Sequence, residues 1–266
     1  MKAEPIKLFI VEGESRDYRF VNEMTRCFLK GRYKTKVINL PAAQNIYMLY
    51  QKLAEDDFET DVVEVLRDTV KDASKKLEGT SRQDIDEVYL FFDYDIHQNN
   101  LKTNIKSSTI IVDMLKTFDN ETENGRLYIS YPMVEALYDY RSKECLAFSN
   151  CFIDINKVKD YKNISSNGNP NASTRFEIEE WKDVINIFYL KIKCLFNLDF
   201  LDYETYREIV SPENIYKIEE NIVESNNQVF ILSAFPEFLL DYFKANFFNS
   251  MTPIKKQRLK SCPKEC

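Results

Sequence analysis

Two apolar stretches of this chain each end in acidic side chains. IKLFIV, residues 6–11, is followed by Glu12, and VYLFF, residues 88–92, is followed by Asp93 and Asp95. Short apolar runs bounded by polar residues are typical of buried strands, and alternation along a strand turns Asp93 and Asp95 to one side. Three converging carboxylates repel one another unless a cation neutralises them, so Glu12, Asp93 and Asp95 predict oxygen ligands for Mg²⁺ or Mn²⁺.

A strand, a turn and a helix position the first of these acids. After Glu12 the chain turns at Gly13, and Ser15 can cap a helix that carries Asp17 in its first turn. Phe20 and neighbouring apolar residues give that helix one buried side. A carboxylate at this junction lies at the carboxyl edge of a sheet, which is where open α/β sheets bind ligands.

The order of these two motifs resembles the TOPRIM domain of topoisomerases, primases, small ribonucleases and OLD-type nucleases. In that family, a glutamate after one apolar strand and two aspartates after a later strand hold Mg²⁺ for phosphodiester chemistry. By this resemblance, Glu12 matches the family glutamate, and Asp93 and Asp95 match the aspartate pair. The resemblance covers roughly the first half of the chain and implies a metal-dependent endonuclease.

A third segment is similar to the defence-associated members of this family. The apolar stretch 127–130 is followed by Pro132 and Glu135, which match a Pro-x-x-Glu helix start. The chain thereby resembles the AriB-type nuclease subunits of PARIS phage-defence systems and, more loosely, RloB and OLD nucleases. This likeness implies an effector of abortive infection, an ATPase partner subunit and cleavage of RNA, with tRNA favoured. OLD-type proteins tend to place an acid four residues after the first glutamate, where this chain has Arg16.

Other polar residues near the motifs have two interpretations each. Glu135 is either a further catalytic ligand at the sheet edge or a carboxylate that favours the helix dipole. Glu14 and Asp17 could fill a second metal site or position water. His97 is the only histidine, and it is either a neutral loop residue or a group that contacts a phosphate or acts as a general acid.

The charge is acidic overall but locally basic. A formal net charge of −7 argues against a non-specific nucleic-acid coat. A nuclease would need local basic surfaces, and two candidates exist, although a solvated helix end and a loose tail would look the same. The predicted nucleic-acid-binding residues are Arg26, Lys30, Arg32, Lys34 and Lys36 in one patch and Lys255, Lys256 and Arg258 in the tail.

Strand and helix patterns alternate through residues 1–140, which predicts an α/β fold with a mainly parallel, TOPRIM-like sheet flanked by helices. Two further strands are expected at 36–40 and 127–130, with helices at 42–54, at 62–76 and from 107 or 108. The second half predicts a helical insertion over 141–226, a strand and helix at 227–250 that return to the core, and a basic tail at 251–266. The insertion contains a polar loop at 163–173 and helices at 174–196 and 203–223.

The cysteine content and the hydropathy of the sequence predict the location of the protein. Six scattered cysteines are typical of free thiols in a cytoplasmic protein, and no apolar run reaches the length of a membrane span. A homodimer is compatible with the sequence. Besides an RNA-cleaving effector, three alternatives stay open: an OLD-like DNA nuclease, a haloacid-dehalogenase-like phosphatase with Asp93 as nucleophile, and a non-catalytic partner-binding subunit.

Overall fold

Five strands form a mainly parallel sheet that helices flank, as the α/β prediction required. The structure is a computed structural model that describes residues 4–13, 16–31, 33–40, 45–94, 107–142, 151–167 and 175–252. The strands are β1 (Ile6–Glu12), β2 (Lys34–Leu40), β3 (Ile85–Asp93), β4 (Asp119–Asn120) and β5 (Gly125–Ser130). Their order is β2-β1-β3-β5-β4, in which β1 is parallel to β2 and β3, and β4 is antiparallel to β5.

Local sequence signals account for the helices near the sheet. Asn45 accepts a hydrogen bond from the Met48 amide, and Asp61 accepts one from the Val63 amide, so each caps a helix as short polar residues do. These helices are α1 (Arg16–Phe28), α2 (Ile46–Ala54), α3 (Val62–Thr69), α4 (Lys71–Lys76) and α5 (Ser107–Thr117).

The single helix predicted for residues 62–76 is two helices. Val70 leaves the helical region with φ −113° and ψ 104°, and its side chain is buried. The Thr69 hydroxyl donates to the Val65 carbonyl at 2.6 Å, which competes with regular helix continuation. α4 therefore begins afresh at Lys71, in a direction that the helical periodicity of the sequence does not specify.

The later part of the chain is mostly helical. After a short 3-10 helix at Val134–Ser142 come β6 (Phe152–Asp154), a second 3-10 helix (Ile155–Asp160), α6 (Tyr161–Asn167), α7 (Ile178–Leu195), α8 (Tyr203–Ile209), α9 (Pro212–Asn226), β7 (Gln228–Phe230) and α10 (Ala234–Met251). The helix predicted at 203–223 is divided into α8 and α9, with the break directly before Pro212. No helix within the described ranges is long and apolar enough to cross a membrane.

Two segments differ from the sequence expectation. Residues 163–167 belong to α6 rather than to a polar loop, because the buried Tyr161 side chain anchors this helix to its surroundings. The two-residue strand β4, which is not among the strands expected from the sequence, lies between α5 and β5. The late strand β7 pairs with β6 in a separate two-stranded sheet, and Leu232 beyond it forms an antiparallel bridge with Tyr131.

The contacts divide the chain into two compact units. The described residues within 1–92 and 97–128 form the first unit, and those within 93–96 and 129–266 form the second. The first contains β1, β2 and most of β3. The second contains the helices α6 to α10 and the β6–β7 pair. The predicted boundaries at residues 140, 226 and 250 stay predictions.

Candidate active site

The two strands that precede the predicted carboxylates are neighbours in the sheet. β1 and β3 are parallel, with Val11 opposite Phe91. Both strands therefore run toward the same edge of the sheet, the edge at which open α/β folds bind ligands. Glu12 is the last residue of β1, and Asp93 is the last residue of β3.

Burial explains why these strands end where they do. The first six residues of β1 are buried and Glu12 is partly exposed; the last five residues of β3 before Asp93 are buried, and Asp93 is partly exposed. An ionised carboxylate inside the apolar run would be strongly unfavourable, so each strand stays apolar up to its acid. The one charge inside β1 is Lys7, which pairs with Asp86 at 2.7 Å and with Glu87 at 2.6 Å.

The turn after Glu12 is held from two sides. Gly13 has φ +122°, a backbone conformation that side chains rarely adopt. A Cβ at this position would lie 2.7 Å from Oδ2 of Asp17, which is buried in the first turn of α1. On the other side, Asn39 Nδ2 donates to the Gly13 carbonyl at 2.8 Å. These contacts fix the backbone that carries Glu12.

The segment after Asp93 is anchored within the second unit. The Tyr94 amide donates to the Ser130 carbonyl at 3.0 Å. The Tyr94 ring is buried, with its centroid 5.2 Å from that of Tyr131 and 6.2 Å from that of Tyr216. Burial, reinforced by nearby carboxylates of which Glu219 is the strongest, raises the pKa of Tyr94. Tyr94 is therefore a neutral packing residue that fixes the backbone next to Asp93.

Glu135 lies in the first turn of the 3-10 helix at Val134–Ser142, as the sequence placed it in a first helical turn. Its side chain is only 3% exposed. Burial raises the pKa of the nearby Tyr161, and the charges of Asp139 and Glu135 add to that effect. Glu135 thus belongs to the interior of the second unit, which favours a supporting role over direct contact with a substrate.

Two residues of the first predicted basic patch, Arg26 and Lys36, bind other groups of the protein. Arg26 pairs with Glu23 at 2.8 Å. Lys36 donates to the Lys76 carbonyl at 2.5 Å and to the Thr80 hydroxyl at 2.7 Å, and burial first, then the positive charges of Lys34 and Arg67, lowers its pKa. Among the described members of the patch, Lys30 and Lys34 are exposed and accessible to a ligand.

Several predicted residues lie outside the described part of the chain. They are Glu14, Arg32, Asp95, His97, Lys255, Lys256 and Arg258. Within the described residues, no three side chains of the histidine, cysteine, aspartate or glutamate type are grouped closely enough to hold a metal ion. Because the predicted set includes Asp95, the three-carboxylate site stays a prediction.

Sequence reasoning missed Asn39. This residue lies between buried Ile38 and Leu40 in β2, where an apolar residue would be usual. A polar side chain inside an otherwise apolar strand was the available signal. Its amide bridges the Glu12 turn and Lys76, whose Nζ donates to Asn39 Oδ1 at 3.4 Å.

Comparisons with family models, with curated proteins and with solved structures gave no match to this chain.

Proposed function

We propose that the chain is a metal-dependent endonuclease of the TOPRIM type that hydrolyses phosphodiester bonds. One observation carries the proposal. β1 and β3 are parallel neighbours, and each passes from a buried apolar run directly into a partly exposed carboxylate, Glu12 or Asp93. Packing alone does not require an acid at the end of two adjacent strands.

The donor chemistry fits a hard divalent cation. Glu12 and Asp93 supply carboxylate oxygens, and Asp95 would supply another, which is the ligand type that Mg²⁺ and Mn²⁺ prefer. When bound, such an ion would draw charge from a phosphate and lower the pKa of a coordinated water. Glu135, being buried, is left out of this ligand set.

The chain's own residues would hold these ligands in place. The hydrogen bond from Asn39 and the close approach of Asp17 to Gly13 restrict the backbone next to Glu12. The Tyr94 amide and its buried ring restrict the backbone next to Asp93. A preorganised ligand set reduces the reorganisation needed during the reaction.

The biological setting of the proposal comes from the resemblance described above. We propose a cytoplasmic effector of an anti-phage, abortive-infection system that cleaves RNA, with tRNA favoured, under the control of an ATPase partner. A homodimer is compatible with this role. The sequence motifs Glu12, Asp93-x-Asp95 and Pro132-x-x-Glu135 support it.

A cleavage assay tests the proposal. The chain, alone and with a co-expressed ATPase, would be incubated with cellular RNA or plasmid DNA and Mg²⁺ or Mn²⁺. We expect discrete RNA fragments from the wild type and a loss of at least about 100-fold in Glu12→Gln and in Asp93→Asn, since each removes a ligand charge. Glu208→Gln, an exposed acid on α8, is the matched control and should cleave normally.

Each other outcome has a defined meaning. DNA cleavage lost in Glu12→Gln would favour the OLD-like alternative. Phosphatase activity that needs Asp93 but not Glu12 would favour the dehalogenase-like alternative. Cleavage that survives both substitutions, or that is absent in every partner context, would overturn the proposal.

A further inference from the structure

A cleft in the first unit carries the features of a nucleotide-binding site. Its volume is about 650 Å³, and it is lined by Tyr18 from α1, Asn39 from β2, Val70 and the lysines of α4. Clefts of roughly 300–1,000 Å³ commonly hold small ligands. Asn39 connects the cleft to the Glu12 turn, because it lines the cleft and its side-chain amide donates to the Gly13 carbonyl.

The charge of the cleft is positive in a chain that is acidic overall. Lys71, Lys75 and Lys76 line it together with a single acid, Asp72. Lys76 is paired with Asp72 at 2.7 Å. Lys71 and Lys75 are exposed, and within the described ranges neither has a carboxylate partner. Two lysines are thus available to bind an anionic group.

Helix α4, which follows the break at Val70, carries both lysines. Lys71 and Lys75 occupy positions i and i+4 of α4, which share one face of a helix. The buried Val70 side chain contributes an apolar part of the wall.

An exposed aromatic ring completes the cleft. Tyr18 is 39% exposed, whereas most large rings in the described part of the chain are buried. Lys76 Nζ lies 5.3 Å from the centre of its ring and is also hydrogen-bonded to Asn39 at 3.4 Å. The ring is therefore held at the edge of the cleft with part of its surface accessible for stacking.

We propose that this cleft binds a nucleotide of a single-stranded nucleic acid, with the phosphate at Lys71 and Lys75 and the base against Tyr18. Stacking on an aromatic ring next to a cationic groove is the general mode by which proteins hold single strands. The inference rests on the proposed nuclease function, because the cleft would hold the substrate strand beside the Glu12 turn.

Binding without catalysis tests the inference. A fluorescent single-stranded RNA and a DNA of the same sequence would be titrated with the full chain in EDTA, where metal-dependent cleavage does not occur. We expect Lys71→Gln/Lys75→Gln to weaken binding about tenfold at low salt and to reduce the slope of log K against log salt by about 1.4, since two phosphate contacts are lost. The matched control, Lys52→Gln/Lys116→Gln, changes the charge equally on exposed lysines outside the cleft and should bind like the wild type.

Stacking gives an independent readout. Tyr18→Ala should weaken binding roughly fivefold or more, and Tyr18→Phe, which keeps the ring, should bind normally. Lys71 and Lys75 should become protected from chemical acetylation when the oligonucleotide is added, with Lys52 unprotected. Thermal unfolding of each variant separates loss of binding from loss of fold.

The outcomes separate the inference from the proposed function. Binding that requires Lys71, Lys75 and Tyr18 in a chain that never cleaves would support the cleft and remove the nuclease. Cleavage that requires Glu12, with binding insensitive to these three residues, would support the nuclease and overturn the cleft. Absence of oligonucleotide binding, or equal losses in the Lys52/Lys116 control, would also overturn it. Tighter binding of the RNA than of the DNA of the same sequence would identify RNA as the strand that the cleft holds.

Discussion

Gly13 and Asp17 approach so closely that a Cβ on Gly13 would lie 2.7 Å from Asp17 Oδ2. The Asp17 side chain would have to shift to admit that Cβ, and the positive φ of Gly13 is the firmer obstacle. The glycine after Glu12 is thus favoured first by its backbone conformation and then by the nearby Asp17 carboxylate. A side chain at position 13 should therefore reduce the stability of the protein.

Gly13→Ala should therefore destabilise the protein and disturb the Glu12 turn. We expect a loss of about 1–3 kcal/mol in the free energy of unfolding, measured by urea denaturation. Gly31→Ala is the control, since Gly31 also has positive φ but nothing lies within 4 Å of its added Cβ. If both variants lose the same stability, the contact with Asp17 does not matter.

Added Mg²⁺ should stabilise the folded protein if carboxylates hold it. At a metal concentration 100 times Kd, linkage predicts about 2.7 kcal/mol, or a rise of several degrees in Tm. Glu12→Gln and Asp93→Asn should lose this rise while unfolding normally without metal, because both residues are at strand ends. Glu208→Gln should keep it. A rise of equal size in all variants would indicate binding elsewhere.

Removing one partner of the ion pair between Lys191 and Asp139 should destabilise the protein. Lys191 is 3% exposed and also donates to the Ile231 carbonyl at 2.6 Å. Lys191→Met removes the cation that faces the Asp139 carboxylate, whose side chain is 20% exposed, and should cost about 1–3 kcal/mol in chemical denaturation.

Two controls test that reasoning on the ion pair. Adding Asp139→Asn to the Lys191→Met variant should restore part of the stability, since it removes the charge that faced Lys191. Lys182→Met, in the exposed pair of Lys182 with Glu179, should change stability by less than about 1 kcal/mol. A cost for Lys191→Met no larger than that for Lys182→Met would contradict the expectation.

Glu219 should make stability fall as the pH rises. Burial raises its pKa from the ordinary value of 4.5 to about 8, although Oε1 accepts a hydrogen bond from the Phe230 amide at 2.8 Å. Between pH 4.5 and about pH 8, the folded state holds a proton on Glu219 that the unfolded state has lost. The stabilisation by this proton is therefore complete below pH 4.5 and is lost as the pH rises to about 8.

A comparison with Glu219→Gln isolates this contribution. Glutamine keeps an acceptor for the Phe230 amide but does not titrate. The stability of the wild type relative to Glu219→Gln should fall by up to about 1.4 kcal/mol per pH unit between pH 5 and 8, measured by urea denaturation across that range. A difference that stays constant with pH would show that Glu219 titrates normally.

The sequence by itself determined the parts of the fold that depend on local pattern. The apolar runs before Glu12 and Asp93 are strands because their burial leaves no place for a charge until the run ends. Polar residues such as Asp61 and Ser211 begin helices because their side chains accept hydrogen bonds from free amides. The α/β alternation followed from these signals.

Only the tertiary structure decided which distant residues meet. Asn39 reaches Gly13 across two adjacent strands, and Lys191 pairs with Asp139 from another element. The same is true of the cleft, in which Tyr18 of α1 and the lysines of α4 come together after the break at Val70. Sequence periodicity reports which side of an element is buried, but it does not specify its neighbours. Those contacts depend on how the packed elements satisfy their apolar surfaces and buried charges together.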